Sequence, residues 1–199
     1  LDALWAWAPY LLAGFGWNIL IAACAMALGT LAGAGLAWLC LARSPWLQRP
    51  ARAATTLCRN APTIVFQFYL AMMLPQAWGV PAWFKASLAL ALAVVGFTSD
   101  NLQIALQAWR AGQRSVALLF VPSWGTYLVI SVIASSTASI IGVPELVSRS
   151  NSVINATGRT DLMVPVYLFA MLVFFLFCWP LVAALKRVRA SLSRRFAAA

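Results

Sequence analysis

Histidine is absent from these 199 residues, and only four acidic side chains occur. Without imidazole there is no side chain that ordinarily titrates near neutrality, and no common partner for a zinc or haem site. The four cysteines (Cys24, Cys40, Cys58 and Cys178) lack metal-ligand spacing and read as reduced, structural thiols. No G-x-x-x-x-G-K-[ST] phosphate loop is present, so this chain does not bind ATP by that route. With so few acids and no histidine, an intramembrane enzyme is the weakest functional class. Charge of either sign is scarce: charged residues make up 9% of the chain, against about a quarter in soluble domains.

What fills the chain instead is apolar. Hydrophobic residues reach 63%, more than a soluble domain of this length can hide. Lipid must be the solvent for much of it. Five apolar runs lie at 9–41, 61–78, 83–109, 116–142 and 162–185. At ~1.5 Å per residue, about twenty residues cross a hydrocarbon core of ~30 Å. The runs are continuous rather than alternating, which excludes a barrel. The expectation is an all-α, polytopic membrane protein of about five transmembrane helices, one domain over residues 1–199. The chain starts at Leu1 rather than methionine, which leaves room for a longer encoded protein. No basic n-region precedes the first run, so no cleavable signal peptide is expected.

The net charge of +10 then reads as a topology signal, with membrane lipid and not nucleic acid beside it. Segment 43–59 holds four arginines, the turn at 110–114 two and the tail at 186–195 five basic residues, all on one side. Lys85, Arg149 and Arg159 fall on the other, so the split is eleven against three. The positive-inside rule places the N-terminus outside and the C-terminus in the cytoplasm.

Polar residues inside the runs are the candidates for function. Asp100 lies in F-T-S-D-N-L-Q (97–103), where a carboxylate costs about 2.5–3.5 kcal/mol at the bilayer centre. Asp100, Gln103 and Gln107 share a helical face, with Asn101 beside them. Two readings stay open: a polar path for a solute, or hydrogen bonds that join helices. Ser131, Ser135, Ser136, Thr137 and Ser139 form a second stripe, suited to close packing or to the opposing wall of that path. Gly29 and Gly33 form a GxxxG contact pattern, weak when alone.

Several phrases then occur in a telling order. R-N-A-P-T-I-V-F-Q runs from Arg59 to Gln67, and Q-A-W-R-A-G-Q-R-S-V from Gln107 to Val116. They are followed by P-S-W-G at 122–125, S-S-T at 135–137 and S-I-I-G at 139–142. In this order the chain resembles, over nearly its full length, the permease subunits of bacterial ABC importers for polar amino acids, of the histidine/glutamine/arginine type. The resemblance implies an inner-membrane importer subunit working by alternating access. Its implied partners are a second permease (a heterodimer favoured over a homodimer), an ATPase dimer and an extracytoplasmic substrate-binding protein. No cofactor is implied on this chain; ATP and Mg²⁺ belong to the ATPase.

One family block is missing. Between the S-V and P-x-x-G phrases such permeases carry a cytoplasmic loop beginning E-A-A, whose helix fits a groove on the ATPase. Here only residues 117–122 lie between, and the glutamate of the third-span phrase is replaced by Gln107. The six-residue polar turn at 110–115, with Arg110, Gln113 and Arg114, spans under ~22 Å even when extended. Either the loop is truly absent, making this a degenerate, non-coupling half beside a full permease, or it is missing only from the chain as read. The change at Gln107 favours true absence. The alternative to a transporting subunit is a membrane scaffold that stabilises or regulates a partner permease.

Overall fold

The computed structural model describes residues 2–197; Leu1 and Ala199, on which the start of the chain and the sidedness of its end bear, lie outside them. Eight α-helices follow in order: α1 (Asp2–Cys40), α2 (Pro45–Asn60), α3 (Thr63–Met73), α4 (Ala82–Arg110), α5 (Arg114–Leu118), α6 (Phe120–Ala134), α7 (Leu146–Thr157) and α8 (Met163–Ala197). Short 3-10 segments occupy Gln76–Trp78, Ser135–Ile141 and Thr160–Leu162, and no strand occurs among the described residues. The all-α, multi-pass expectation is met.

Four helical stretches are each long and apolar enough to cross a membrane: Leu4–Cys40, Ala82–Arg110, Arg114–Ile141 and Thr160–Arg194. The run at 61–78 behaves differently. It forms the 11-residue α3, only about 16 Å long and too short to cross alone. Pro62 is the reason. Its ring disfavours helical geometry in the preceding residue, and Ala61 accordingly takes φ −66°, ψ 126°. The chain breaks there and resumes as α3, so α2 and α3 lie end to end. Thr55 meets Ser99, Arg59 lies on Gly96, and the Leu74 carbonyl receives a hydrogen bond from Lys85. Contacts thus run backwards along α4 as the chain advances from α2 to α3. Together the two helices run antiparallel to α4.

The central contact is α1 against α4, running parallel. Glycine is required where they touch. A Cβ on Gly29 would lie 2.4 Å from the Val94 Cβ, and one on Gly33 2.7 Å from the Thr98 Cβ. The GxxxG pattern therefore marks a real backbone approach. Leu11, Phe15, Val132, Leu146 and Val166 pack one core; Ile21, Ala25, Leu90 and Val143 pack a second. Outward, α8 presents Met171, Phe175, Leu176 and Trp179, as expected where lipid is the solvent.

After Ala134 the helix tightens to 3-10 geometry through the serine stripe. Ser135, Ser136 and Thr137 each donate a hydroxyl hydrogen bond to the carbonyl three residues back. Such back-bonding competes with the α-helical ladder and accounts for the change of pitch. Gly142 ends the segment with φ +85°. Beyond it Glu145 caps α7, accepting hydrogen bonds from the Ser148 and Val147 amides at 2.7 and 3.0 Å.

Glu145 is fully buried, and Asn18 on α1 is the reason it can be. The Asn18 amide donates to Glu145 Oε2 and to Ser135 Oγ, each at 3.0 Å, while its Oδ1 accepts from the Leu146 amide at 3.2 Å. Burial pushes the Glu145 carboxyl above its ordinary range, opposed in part by the bonds from Val147, Ser148 and Asn18. A raised carboxyl binds its proton more tightly folded than unfolded. Its contribution to stability therefore falls as pH rises from the ordinary carboxylate value of 4.5 through the raised one. No histidine titrates in that region to obscure the effect. Thermal unfolding should show a melting point that falls as pH is raised above 4.5, and Glu145→Gln should flatten that slope.

Candidate functional site

Asp100 sits one helical turn beyond Gly96, the central residue of the 29-residue α4. Its depth would be costly for a lone carboxylate. It is not alone: Arg59 Nη1 donates to Asp100 Oδ2 at 3.0 Å. The break at Pro62 puts Arg59 there. Because α2 ends at Asn60 beside Gly96, a Cβ on that glycine would fall 2.5 Å from the Arg59 backbone nitrogen. Gly96 thus lets the α2 backbone close on α4 one turn from the carboxylate. Thr55 Oγ1 and Ser99 Oγ, 2.9 Å apart, hold the same crossing from the other side.

The pair opens into a cavity of about 550 Å³. Asp100, Asn101, Gln103 and Gln107 all line it, so four of the polar residues singled out in α4 share one space. Arg59 and Tyr127 complete its polar wall. Phe97 and Tyr127 stack with ring centroids 4.0 Å apart at 12°, forming a flat aromatic side between α4 and α6. Asp100 and Gln103 also border a smaller cavity of about 260 Å³ shared with Arg52, Thr55 and Thr56. Gln103 is steadied by Ser99, donating to its carbonyl and hydroxyl at 3.1 and 3.2 Å. Asn101 Nδ2 bonds the Phe97 carbonyl at 2.9 Å.

The hydroxyl stripe lies elsewhere. Ser135 is buried in the Asn18–Glu145 network, Ser136 bonds its own helix, and Thr137 accepts from Gln67 Nε2 at 2.9 Å. None of the three lines the Asp100 cavity. The Gln67–Thr137 bond does join two of the phrases noted in the sequence. Gln67 Oε1, buried, has no hydrogen-bond partner among the described residues.

Sequence reasoning missed Arg59 and Tyr127 as cavity residues, because Arg59 counts among the basic residues of segment 43–59 read as a topology signal. Pro62, three residues on, was the available signal: a proline there ends α2 and fixes how deep Arg59 sits. Asn18 was missed too, although an amide inside an apolar run is itself a flag.

At the far end of α4 the chain turns within Ala111, Gly112 and Gln113. Gly112 takes φ +77°, the Gln113 amide bonds the Ala108 carbonyl at 2.9 Å and the Gly112 amide bonds that of Trp109 at 3.1 Å. This is a Schellman closure, which satisfies the helix-end carbonyls and sends the chain directly into α5. Arg114 lies over the Trp109 ring at 5.8 Å. Arg110, Gln113 and Arg114 therefore surround a tight turn.

No family model matches the chain, and no curated protein matches it in sequence. Its fold does match a solved structure described as the crystal structure of an amino acid ABC transporter with histidines, with a TM-score of 0.81 at 16% identity. The match covers 94% of this chain and 95% of that one. The chain has the fold of an ABC transporter permease.

Proposed function

We propose that this chain is a membrane-spanning subunit of an ABC importer that moves a polar amino acid or close relative inward by alternating access. The observation that carries the reading is the polar cavity built around Asp100 and Arg59 beside the middle of α4, a helix long and apolar enough to cross a membrane. Ionisable side chains within such helices are rare and commonly mark solute pathways. The fold likeness to an amino acid ABC transporter supports the same reading. Its partners would be a second permease, an ATPase dimer carrying ATP and Mg²⁺, and an extracytoplasmic binding protein. The N-terminus would face outward and the basic end of α8 the cytoplasm.

Within such a complex this subunit would be the non-coupling half. The three-residue Schellman turn after α4 offers no helix to enter a groove on a motor subunit. Coupling force would pass mainly through the partner permease. Assembled with the ATPase but with no other permease, the chain should show no substrate-stimulated ATP hydrolysis. Robust stimulation in that minimal complex would contradict the non-coupling role. The reading as a whole is tested by purifying the complex, identifying its subunits by mass, and measuring amino-acid uptake in proteoliposomes. ATP-driven uptake that needs this chain supports it; stable assembly with uptake unaffected by this chain's removal returns the scaffold alternative.

A further inference from the structure

We propose that the start of α2 is a binding site for an anionic phospholipid, with the phosphate on Arg49 and an acyl chain along Trp46, Pro50 and Leu57. Such a site goes beyond the transport reading and does not depend on it, since a supporting subunit would meet the same lipid.

The start of α2 lies where a span leaves the hydrocarbon. α1 and α4 run parallel, so Cys40 and Arg110 end them on the same side of the bundle. Leu185, near the basic end of α8, packs on Gly125 near the start of α6, which brings that end alongside. Gln48 in the first turn of α2 donates to the Cys40 carbonyl at 3.0 Å, holding α2 where the membrane-length stretch Leu4–Cys40 finishes. At that depth tryptophan rings and phosphate headgroups meet.

The surface of α2 matches a lipid in shape. Ala51 and Thr55 are buried against the bundle. Trp46, Pro50 and Leu57 follow at steps of four and seven and share another face, on which Trp46 is 90% exposed and Leu57 73%. An indole that bare is costly in water and is satisfied at a lipid interface, its ring among acyl chains and its N–H toward the headgroups. Arg49 stands beside this face. Pro45, Trp46, Arg49 and Pro50 line a cleft of about 350 Å³, room for a headgroup and the first carbons of a chain. The two proline rings have no rotamers to freeze, so little ordering opposes binding.

Charge decides which lipid. No acidic residue occurs between Asp2 and Asp100, and none follows Asp161. Arg52 and Arg59 border the Asp100 cavities, but neither ion pair among the described residues involves Arg43 or Arg49. Arg49 is the one charged residue lining the cleft. A guanidinium takes a phosphate through two parallel N–H bonds. A zwitterionic headgroup carries its own cation to that phosphate, whereas an anionic one leaves Arg49 to neutralise it. An acidic protein would meet Arg49 and leave Trp46 and Leu57 bare, so a lipid fits better.

In the test, the full chain in nanodiscs meets photoactivatable phosphatidylglycerol or phosphatidylcholine with identical acyl chains, and crosslinked peptides are mapped by mass. Phosphatidylglycerol should label residues 45–57 about five-fold more than phosphatidylcholine, the ratio that one basic side chain near a membrane surface supplies. Arg49→Gln should bring the ratio close to one. Arg194→Gln, which removes an equal charge from the exposed end of α8, should leave it unchanged. Excess inorganic phosphate should not displace the lipid. The wild-type comparison needs no variant to fold. Equal labelling by the two lipids overturns the proposal, and is the result expected if Arg49 meets an acidic protein instead. A parallel fall in both variants overturns it in favour of general charge attraction, and displacement by phosphate in favour of a free-anion site.

Discussion

Asp100→Ala should lower solute uptake roughly ten- to a hundred-fold while the complex still assembles. The carboxylate is the only acid in the cavity, and hydrogen bonds to charged groups contribute about 1.5–3 kcal/mol, which at ~1.4 kcal/mol per decade gives that range. The fold should survive, because Arg59 is mostly exposed and can take water from the cavity in place of its partner. Helix contact here rests on Gly96 and on the Thr55–Ser99 pair, which the substitution leaves in place. Uptake in proteoliposomes, with subunit stoichiometry measured on the same preparation, separates the two effects. Unchanged uptake would remove Asp100 from the path; loss of assembly would make it a structural joint instead.

Asn18→Ala should have the opposite profile, a large loss of stability. Its side chain ties α1 to the start of α7 and to the 3-10 segment before it, and Asn18, Ser135 and Glu145 are all fully buried. Truncation orphans the buried Leu146 amide, at about 1–3 kcal/mol, and takes one of two donors from Glu145 Oε2, which keeps the Val147 amide. For a chain of this size that is a fall in melting point on the order of 10 °C. Ser135→Ala should cost less, because it orphans only the one Asn18 N–H that Ser135 Oγ accepts, and leaves the Asn18 bonds to Glu145 and Leu146 in place. Thermal unfolding in nanodiscs reads both. An Asn18→Ala protein that melts with the wild type would show that water replaces the amide, and that the network does not hold α7 to α1.

Much of this architecture was legible in the sequence because lipid as solvent makes long apolar runs nearly synonymous with helices. The run at 83–109 falls inside α4 and that at 162–185, but for Leu162, inside α8, and Gly29 and Gly33 mark a true close approach. The grouping of Asp100, Gln103 and Gln107 was also visible, since helical periodicity alone puts them on one face. Depth was not visible. Hydropathy leaves Arg59 in the basic segment 43–59, yet its place is fixed by where α2 breaks and by the missing side chain of Gly96. Neither shows as an apolar count. The serine stripe misled in a different way: hydroxyl groups at helical spacing look like one polar wall, but Ser135, Ser136, Thr137 and Ser139 donate to carbonyls of their own helix, Ser135 and Thr137 also accept from Asn18 and Gln67, and Ser131 bonds Met26 of α1.

The central claim is that the Asp100 cavity belongs to a water-filled path rather than to a lipid-facing or packed surface. In a variant whose four cysteines are replaced, Gln103→Cys and Met171→Cys can be compared for reaction with a membrane-impermeant thiol reagent. Gln103 borders both polar cavities, and Met171 is 66% exposed on the apolar face of α8. Thiols react as thiolates, which need water around them. Labelling at position 103 should be at least ten-fold faster than at position 171; equal and slow labelling at the two positions would contradict a water-filled path.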